Sequence, residues 1–206
     1  MTGMNRRRWM AFGTSAFAGG ALVQGPSSAI ASSRGSIQAR YFPNVPLITH
    51  DGRKVRFYDD LIKNRMVIIN FMYATCEGAC PLITSNLRNV QKLLGDRVGR
   101  DIFMYSLNLK TKQDTPAVLN QHVEMHGIGP GWLFLTGRAG DVERLRRSLG
   151  FVDSDPQVDK DKSQHIGMVR YGNEPLQLWA ACPGLATPEW IARSICWVNW
   201  PRVSAI

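Results

Sequence analysis

The sequence predicts an α/β sandwich. Two observations carry this. Short apolar runs rich in β-branched residues alternate with segments of helical period, and the alternation gives way near the C-terminus to an apparent hairpin and a last helix. The chain has 206 residues, 44% of them hydrophobic and 20% charged, the balance of one ordinary globular domain. A chain of this size can bury roughly 70% of its unfolded surface, so it needs no metal or disulfide simply to stay folded. Its four cysteines therefore call for a chemical explanation.

The elements follow in order. Val45 to Thr49 reads as a strand, His50-Asp51-Gly52 as a turn, and Lys54 to Phe57 as the returning arm. Met66 to Phe71 is a short apolar run rich in β-branched residues, broken only by Asn70, and should be a buried central strand. From Pro81 to Leu94, the residues Leu82, Ile83, Leu87, Val90 and Leu94 keep helical spacing, with Gly95 as the cap. Ile102 to Leu107 reads as a second buried strand. Asp114-Thr115-Pro116 starts a helix, with proline in the first turn where its missing N–H costs little. Trp132 to Leu135 is a strand and Asp141 to Leu149 a short helix. The polar run from Asp153 to Ser163 reads as a mobile loop. Ile166 to Tyr171 and Leu176 to Ala180 form a hairpin around Gly172-Asn173, and Thr187-Pro188-Glu189 opens a last helix to about Val198.

Residues 1–31 read as an export signal. Arg6-Arg7-Arg8 precede Trp9 and an uncharged run from Ala11 to Gly25, and Ala29-Ile30-Ala31 fits small-residue cleavage. The paired arginines resemble a twin-arginine signal. The alternative is a membrane anchor, for which the run is short and rich in glycine. Residues 32–40 then form a linker and 41–206 the folded domain, placed in the periplasm. Cleavage before Ser32 removes three arginines and no acid, lowering the formal charge from +9 to +6. No basic cluster interleaved with aromatics is present, which argues against nucleic acid. The charge is compatible with association at an anionic membrane surface. Export places the thiols in an oxidising compartment.

The chemistry is concentrated in Phe71-Met72-Tyr73-Ala74-Thr75-Cys76-Glu77-Gly78-Ala79-Cys80-Pro81, between a buried strand and a helix. Open α/β folds place their sites at the carboxyl ends of strands. A thiolate at a helix N-terminus has a lowered pKa. Residues four apart on a helix have Cβ atoms about 5–6 Å apart, whereas a disulfide wants about 3.8 Å. The spacing of Cys76 and Cys80 thus suits a metal bridging two sulfurs better than a relaxed disulfide. Two sulfurs alone do not complete a zinc site or hold a cluster. Two sulfurs and one imidazole suit copper(I). Of the histidines, His50 sits in a turn. His122 and His126 have i, i+4 spacing but lack a metalloprotease glutamate and read as surface residues. His165 stands alone before a strand, after the polar run from Asp153 to Ser163, and is one candidate for such an imidazole.

These residues resemble the Sco/SenC family. The resemblance rests on Phe71-x-Tyr73-x-x-Cys76-x-x-x-Cys80-Pro81, on Asp114-Thr115-Pro116, on Gly131-Trp132-Leu133-Phe134-Leu135-Thr136-Gly137, and on His165 just before a late hairpin. It runs from about Tyr41 to Val198. It implies a thioredoxin-like sandwich, with a central mixed sheet flanked by helices. It also implies copper(I) held by Cys76, Cys80 and His165, copper(II) being a further option for the same site. The implied role is maturing the copper A centre of cytochrome c oxidase or a related enzyme, with cytochrome c oxidase subunit II as the kind of partner. Gly78, Gln164 and Asn108-Leu109 depart from the family pattern, which often has aspartate at the first two positions and Asp-Pro at the third. The ligands are present but carboxylates around them are not.

This reading describes a metallochaperone more than an enzyme. The alternatives are a thiol–disulfide oxidoreductase working through Cys76 and Cys80, and a copper or redox sensor. A peroxiredoxin-type peroxidase is disfavoured because Tyr73 stands where those enzymes have threonine. Cys182 and Cys196, the remaining cysteines, are expected to form a structural disulfide between the last strand and the last helix.

Overall fold

The computed structural model describes residue 38 and residues 41–76, 78–161 and 167–198. The expected signal 1–31, nearly all of the linker 32–40, the candidate ligand His165 and the last eight residues lie outside the described residues.

Seven strands form one mixed sheet. They are β1 (Pro46–Thr49), β2 (Lys54–Arg56), β3 (Met66–Met72), β4 (Ile102–Asn108), β5 (Trp132–Gly137), β6 (Met168–Asn173) and β7 (Leu178–Pro183), in the order β2-β1-β5-β4-β3-β6-β7. The three inner strands β5, β4 and β3 are parallel, and the outer pairs are antiparallel. The helices are α1 (Cys80–Leu94), α2 (Pro116–Met125), α3 (Ala139–Ser148), α4 (Pro156–Lys160) and α5 (Pro188–Trp197). Thr115 and Thr187 accept from the N–H groups of Val118 and Trp190, capping α2 and α5, each of which starts on a proline.

Every residue of β3 is buried, because it is the central strand with helices on both faces. Its side chains alternate between two cores. Met66, Ile68 and Met72 join Ile83, Leu87 and Val90 of α1, Leu119 of α2, and Ile191 and Ile195 of α5. Val67, Ile69 and Phe71 join Val142, Leu145 and Leu149 of α3, with Phe57, Leu61 and Ile62. This two-faced burial is the physical basis of the sandwich.

Four local expectations differ from the structure. The arm expected to reach Phe57 stops at Arg56. A π-helical turn, Phe57–Ile62, follows and buries Phe57, Leu61 and Ile62, with Asp60 accepting from the Arg56 N–H at 2.6 Å. The late hairpin turns at Glu174–Gln177, not at Gly172-Asn173. Gly172 is a strand residue on which the Trp179 ring lies. A Cβ there would come within 2.2 Å of that ring, so glycine is set by close approach rather than by a turn. The run from Asp153 is not all loop, because α4 occupies Pro156–Lys160. Asp155 caps it, and Asp159 is tied to the buried guanidinium of Arg146 at 2.5 and 2.7 Å. Finally, His122 is not a surface residue. It is 7% exposed and packs against Phe134.

Candidate metal centre

The site lies where β3 ends. Beyond Met72 the chain must leave the sheet, and two partners from the next parallel unit hold it. Met72 O accepts from the Leu109 N–H at 2.8 Å. The Ala74 N–H donates to Asp114 Oδ2 at 2.8 Å. Asp114 is fully buried just ahead of α2, and its own backbone O accepts from the Asn108 amide at 3.2 Å. The Asp114-Thr115-Pro116 block therefore starts one helix and braces the cysteine loop. A turn follows in which the Cys76 N–H reaches back to Tyr73 O at 3.3 Å.

Helix α1 begins at Cys80, with Pro81 in its first turn and no side-chain cap at Ala79. Its leading N–H groups are left for another acceptor. The Cys76 sulfur takes this role, accepting from the backbone N–H groups of Gly78 and Cys80, from the Tyr73 hydroxyl and from the Cys80 thiol. Burial alone would push the Cys76 thiol up. The four hydrogen bonds outweigh it and hold the thiol below its ordinary value. Cys80 goes the other way. Burial, the hydrogen bond it gives to Cys76 and the charge there push it up to about 12. Tyr73 is raised by its hydrogen bond to Cys76 and by burial. The pair is thus split, with Cys76 the more acidic thiol and Cys80 the less, in a nearly dry setting at 8% and 2% exposure. The Lys110 ammonium lies 4.0 Å above the Tyr73 ring.

The structure brings Cys76 and Cys80 together as free thiols. Among the described residues no three His, Cys, Asp or Glu side chains converge on a metal position, so this part of the site offers two sulfurs. Those two fit a soft cation: the Cys76 thiol is held below its ordinary value, Cys80 sits beside it, and neither is committed to a disulfide. The segment carrying His165 is bounded by described residues on both sides. Asp161 lies close enough to Tyr73 to raise its pKa. Gly167 packs on Ile83, one turn into α1, so closely that a Cβ would meet the Ile83 side chain at 3.0 Å, and its O accepts from the Gly184 N–H.

The expected Cys182–Cys196 bridge is absent from this structure. Cys182 is buried on β7 within the α1 and α5 core, where burial pushes its thiol up to about 11. Cys196 is half-buried on α5, and Arg97 Nη1 donates to its sulfur at 3.5 Å. Each sulfur thus has its own surroundings. Sequence reasoning missed Asp114, Tyr73 and Lys110 as parts of the centre. The usable signals were an aspartate inside an otherwise apolar frame and an aromatic hydroxyl three residues before a cysteine.

Residues 36–197 match the SCO1/SenC family, well over half of the chain. The chain belongs to the SCO1/SenC family. Among solved structures it is similar to a SCO1/SenC family lipoprotein from Bacillus anthracis str. Ames, with 19% identity, a TM-score of 0.62, and coverage of 77% of this chain and 94% of that one. It is also similar to yeast Sco1 with copper bound, with 17% identity, a TM-score of 0.63, and coverage of 79% and 94%. A third is BsSco, described as carrying a disulfide switch and belonging to the Sco family of cytochrome c oxidase assembly proteins, with 18% identity, a TM-score of 0.61, and coverage of 77% and 92%. No curated protein matches the chain in sequence. The seven-stranded mixed sheet flanked by helices is the thioredoxin-like Sco fold expected from the sequence. Among the described residues no helix is long and apolar enough to cross a membrane.

Proposed function

We propose that this SCO1/SenC protein is a copper(I) metallochaperone of the periplasm. It holds one ion through Cys76, Cys80 and His165 and delivers it to the copper A centre of cytochrome c oxidase, on subunit II, or to a related copper enzyme. The observation that carries the reading is the unbridged Cys76–Cys80 pair at the start of α1, in which four hydrogen bonds hold the Cys76 thiol below its ordinary value. Copper is the cargo. Cys76, the more acidic of the two, loses its proton to engage the ion more readily than Cys80, which gives up its own as the second sulfur engages. Asp114 braces the loop that carries Cys76 by accepting from the Ala74 N–H. His165 is two residues from Gly167, which packs against Ile83 one turn into α1, and this closeness along the chain supports it as the third ligand. Two thiolates and one imidazole suit copper(I), and the low coordination number leaves an edge open for a receiving ligand.

The test is anaerobic loading with copper(I) under competition from a bicinchoninate chelator, with X-ray absorption on the loaded protein. One ion per chain with two sulfur scatterers and one nitrogen is expected. Cys76→Ser, Cys80→Ser and His165→Ala should each weaken binding at least tenfold. Full retention of copper by His165→Ala would remove that residue from the site. Export is tested by Arg6→Lys with Arg7→Lys, which should trap the precursor in the cytoplasm, and by N-terminal sequencing for a start at Ser32.

A second reading uses the same polarised pair for thiol–disulfide exchange. The Cys76 thiolate attacks one sulfur of a target disulfide, and the other target sulfur leaves as a thiolate that takes up a proton. Cys80 then loses its proton and attacks Cys76 in the mixed disulfide. The target is released as a dithiol, reduced by two electrons, and Cys76–Cys80 is left oxidised. Reduction of a disulfide peptide by the copper-free protein, absent in Cys76→Ser, distinguishes this activity from delivery alone.

A further inference from the structure

We propose that His122 and His126 form a second metal site, separate from the thiol pair, which takes a borderline divalent cation, Cu2+ by preference and Zn2+ more weakly. The two residues stand at i and i+4 near the end of α2, on one face of the helix. Their rings are in contact, with centroids 4.2 Å apart at an interplanar angle of 46°. Two imidazole nitrogens bound to one metal at about 2.0–2.1 Å each stand roughly 3 Å apart, so small side-chain rotations bring this pair to a chelating position.

The inner ring gives the decisive observation. His122 is buried, yet its Nε2 has no hydrogen-bond partner. A core histidine held for packing alone would normally have both nitrogens satisfied. Here the ring is flanked by Phe134, centroids 5.4 Å apart, which offers no donor or acceptor, and by the His126 imidazole. His126 is only half-buried, so a cation can arrive from solvent by displacing that ring. Burial first, and the neighbouring His126 second, keep His122 neutral by lowering its pKa to about 4, and a neutral imidazole is the form that binds metal.

The donor set defines the cation. Imidazole nitrogen favours copper(II), nickel and zinc, and the order of divalent affinities puts Cu2+ first. No third His, Cys, Asp or Glu joins the pair among the described residues, so water fills the remaining positions and the ion exchanges readily. Asp114 and the cysteine loop lie at the opposite end of α2, so this site and the thiol pair load independently. The chain would thereby hold a soft site for copper(I) and a borderline site for a divalent ion on one domain.

The experiment uses the purified full chain carrying Cys76→Ser with Cys80→Ser, which silences the thiol pair and serves as the parent for the histidine variants. Cu2+ is titrated in and followed by electron paramagnetic resonance, with Zn2+ titrated calorimetrically on the same sample. One Cu2+ per chain with two imidazole nitrogens is expected. His126→Ala should lower its affinity at least tenfold and reduce the nitrogen count, and His122→Phe, which keeps the core filled, should do the same. His50→Gln should change nothing. Cu2+ affinity within twofold of the parent in His126→Ala would overturn the proposal. So would a nitrogen count of zero or one in that parent, a reading that needs no histidine variant to fold.

Discussion

Asp159→Ala should cost the fold about 2–3 kcal/mol. The carboxylate of Asp159 is 8% exposed and the guanidinium of Arg146 is 3% exposed. Two hydrogen bonds at 2.5 and 2.7 Å join them, and Asp159 also accepts from the Asp153 N–H at 3.1 Å. Breaking a buried pair by removing one partner typically costs about 3–5 kcal/mol, because a charge is left without compensation. Arg146 would keep its two bonds to Glu143, at 2.8 and 2.9 Å, and one to Phe151 O at 2.6 Å, so its charge stays partly compensated and the loss falls at or just below the bottom of that range. The contact from Arg147 adds little, since that side chain is 60% exposed. In a domain of this size 1 kcal/mol moves the melting midpoint by about 2–4 °C, so a fall of roughly 5–10 °C is expected by calorimetry, with a matching shift in the urea midpoint. The double variant Arg146→Met, Asp159→Leu should recover much of the loss, since both charges leave together. A loss below about 1 kcal/mol in Asp159→Ala would refute the claim that this pair anchors α4, and with it the account of why 156–160 is a helix and not a loop.

Further outcomes follow from the same structure. Cys76 should alkylate faster than Cys80 at neutral pH, because its thiol is held below the ordinary value while that of Cys80 is pushed up to about 12. Equal rates in pH-resolved mass spectrometry would contradict the assignment. Tyr73→Phe removes a hydroxyl donor to the Cys76 sulfur and should slow that alkylation by a factor of about five, the equivalent of one hydrogen bond of about 1 kcal/mol. His122 makes stability pH-dependent. Its folded pKa of about 4 lies below the unfolded 6.5, so the unfolded chain binds more protons, and stability held above pH 6.5 should fall between pH 6.5 and 4. The loss reaches roughly 3 kcal/mol at most, and an identical acid profile in His122→Gln would refute it. Peptide mapping of never-reduced protein, alkylated after denaturation, should recover Cys182 and Cys196 as separately alkylated peptides, matching their free thiols here. A linked peptide would instead establish the bridge that their pairing in sequence suggests.

Much of the site was legible because its main signals are local. A run so rich in apolar and β-branched residues reads as a central strand covered by helices on both faces, and Met66–Met72 is one, with Asn70 its single polar residue. Cys76 and Cys80 read as a functional pair because they straddle the junction of that strand with a helix whose spacing is plain from Ile83, Leu87 and Val90. Thr115-Pro116 and Thr187-Pro188 announced helix starts, since capping depends on neighbours in the chain. What the tertiary structure alone decided involves partners distant in sequence. Residues 73 and 74 meet the cysteines and Asp114 only after β3 and β4 align, so neither the split between the two thiol pKa values nor the brace on the loop has a local signature. Gly172 looked like a turn because glycine usually marks one, but Trp179 on the adjacent strand requires the empty space. His122 looked exposed because helical period places a residue on a face without saying what that face meets; here it meets Phe134. The run after Asp153 looked like loop because its polarity conceals one carboxylate that α3 pulls into the interior. Local preference sets which elements can form, while burial and hydrogen bonding across the sheet set the protonation, orientation and partners of the side chains they carry.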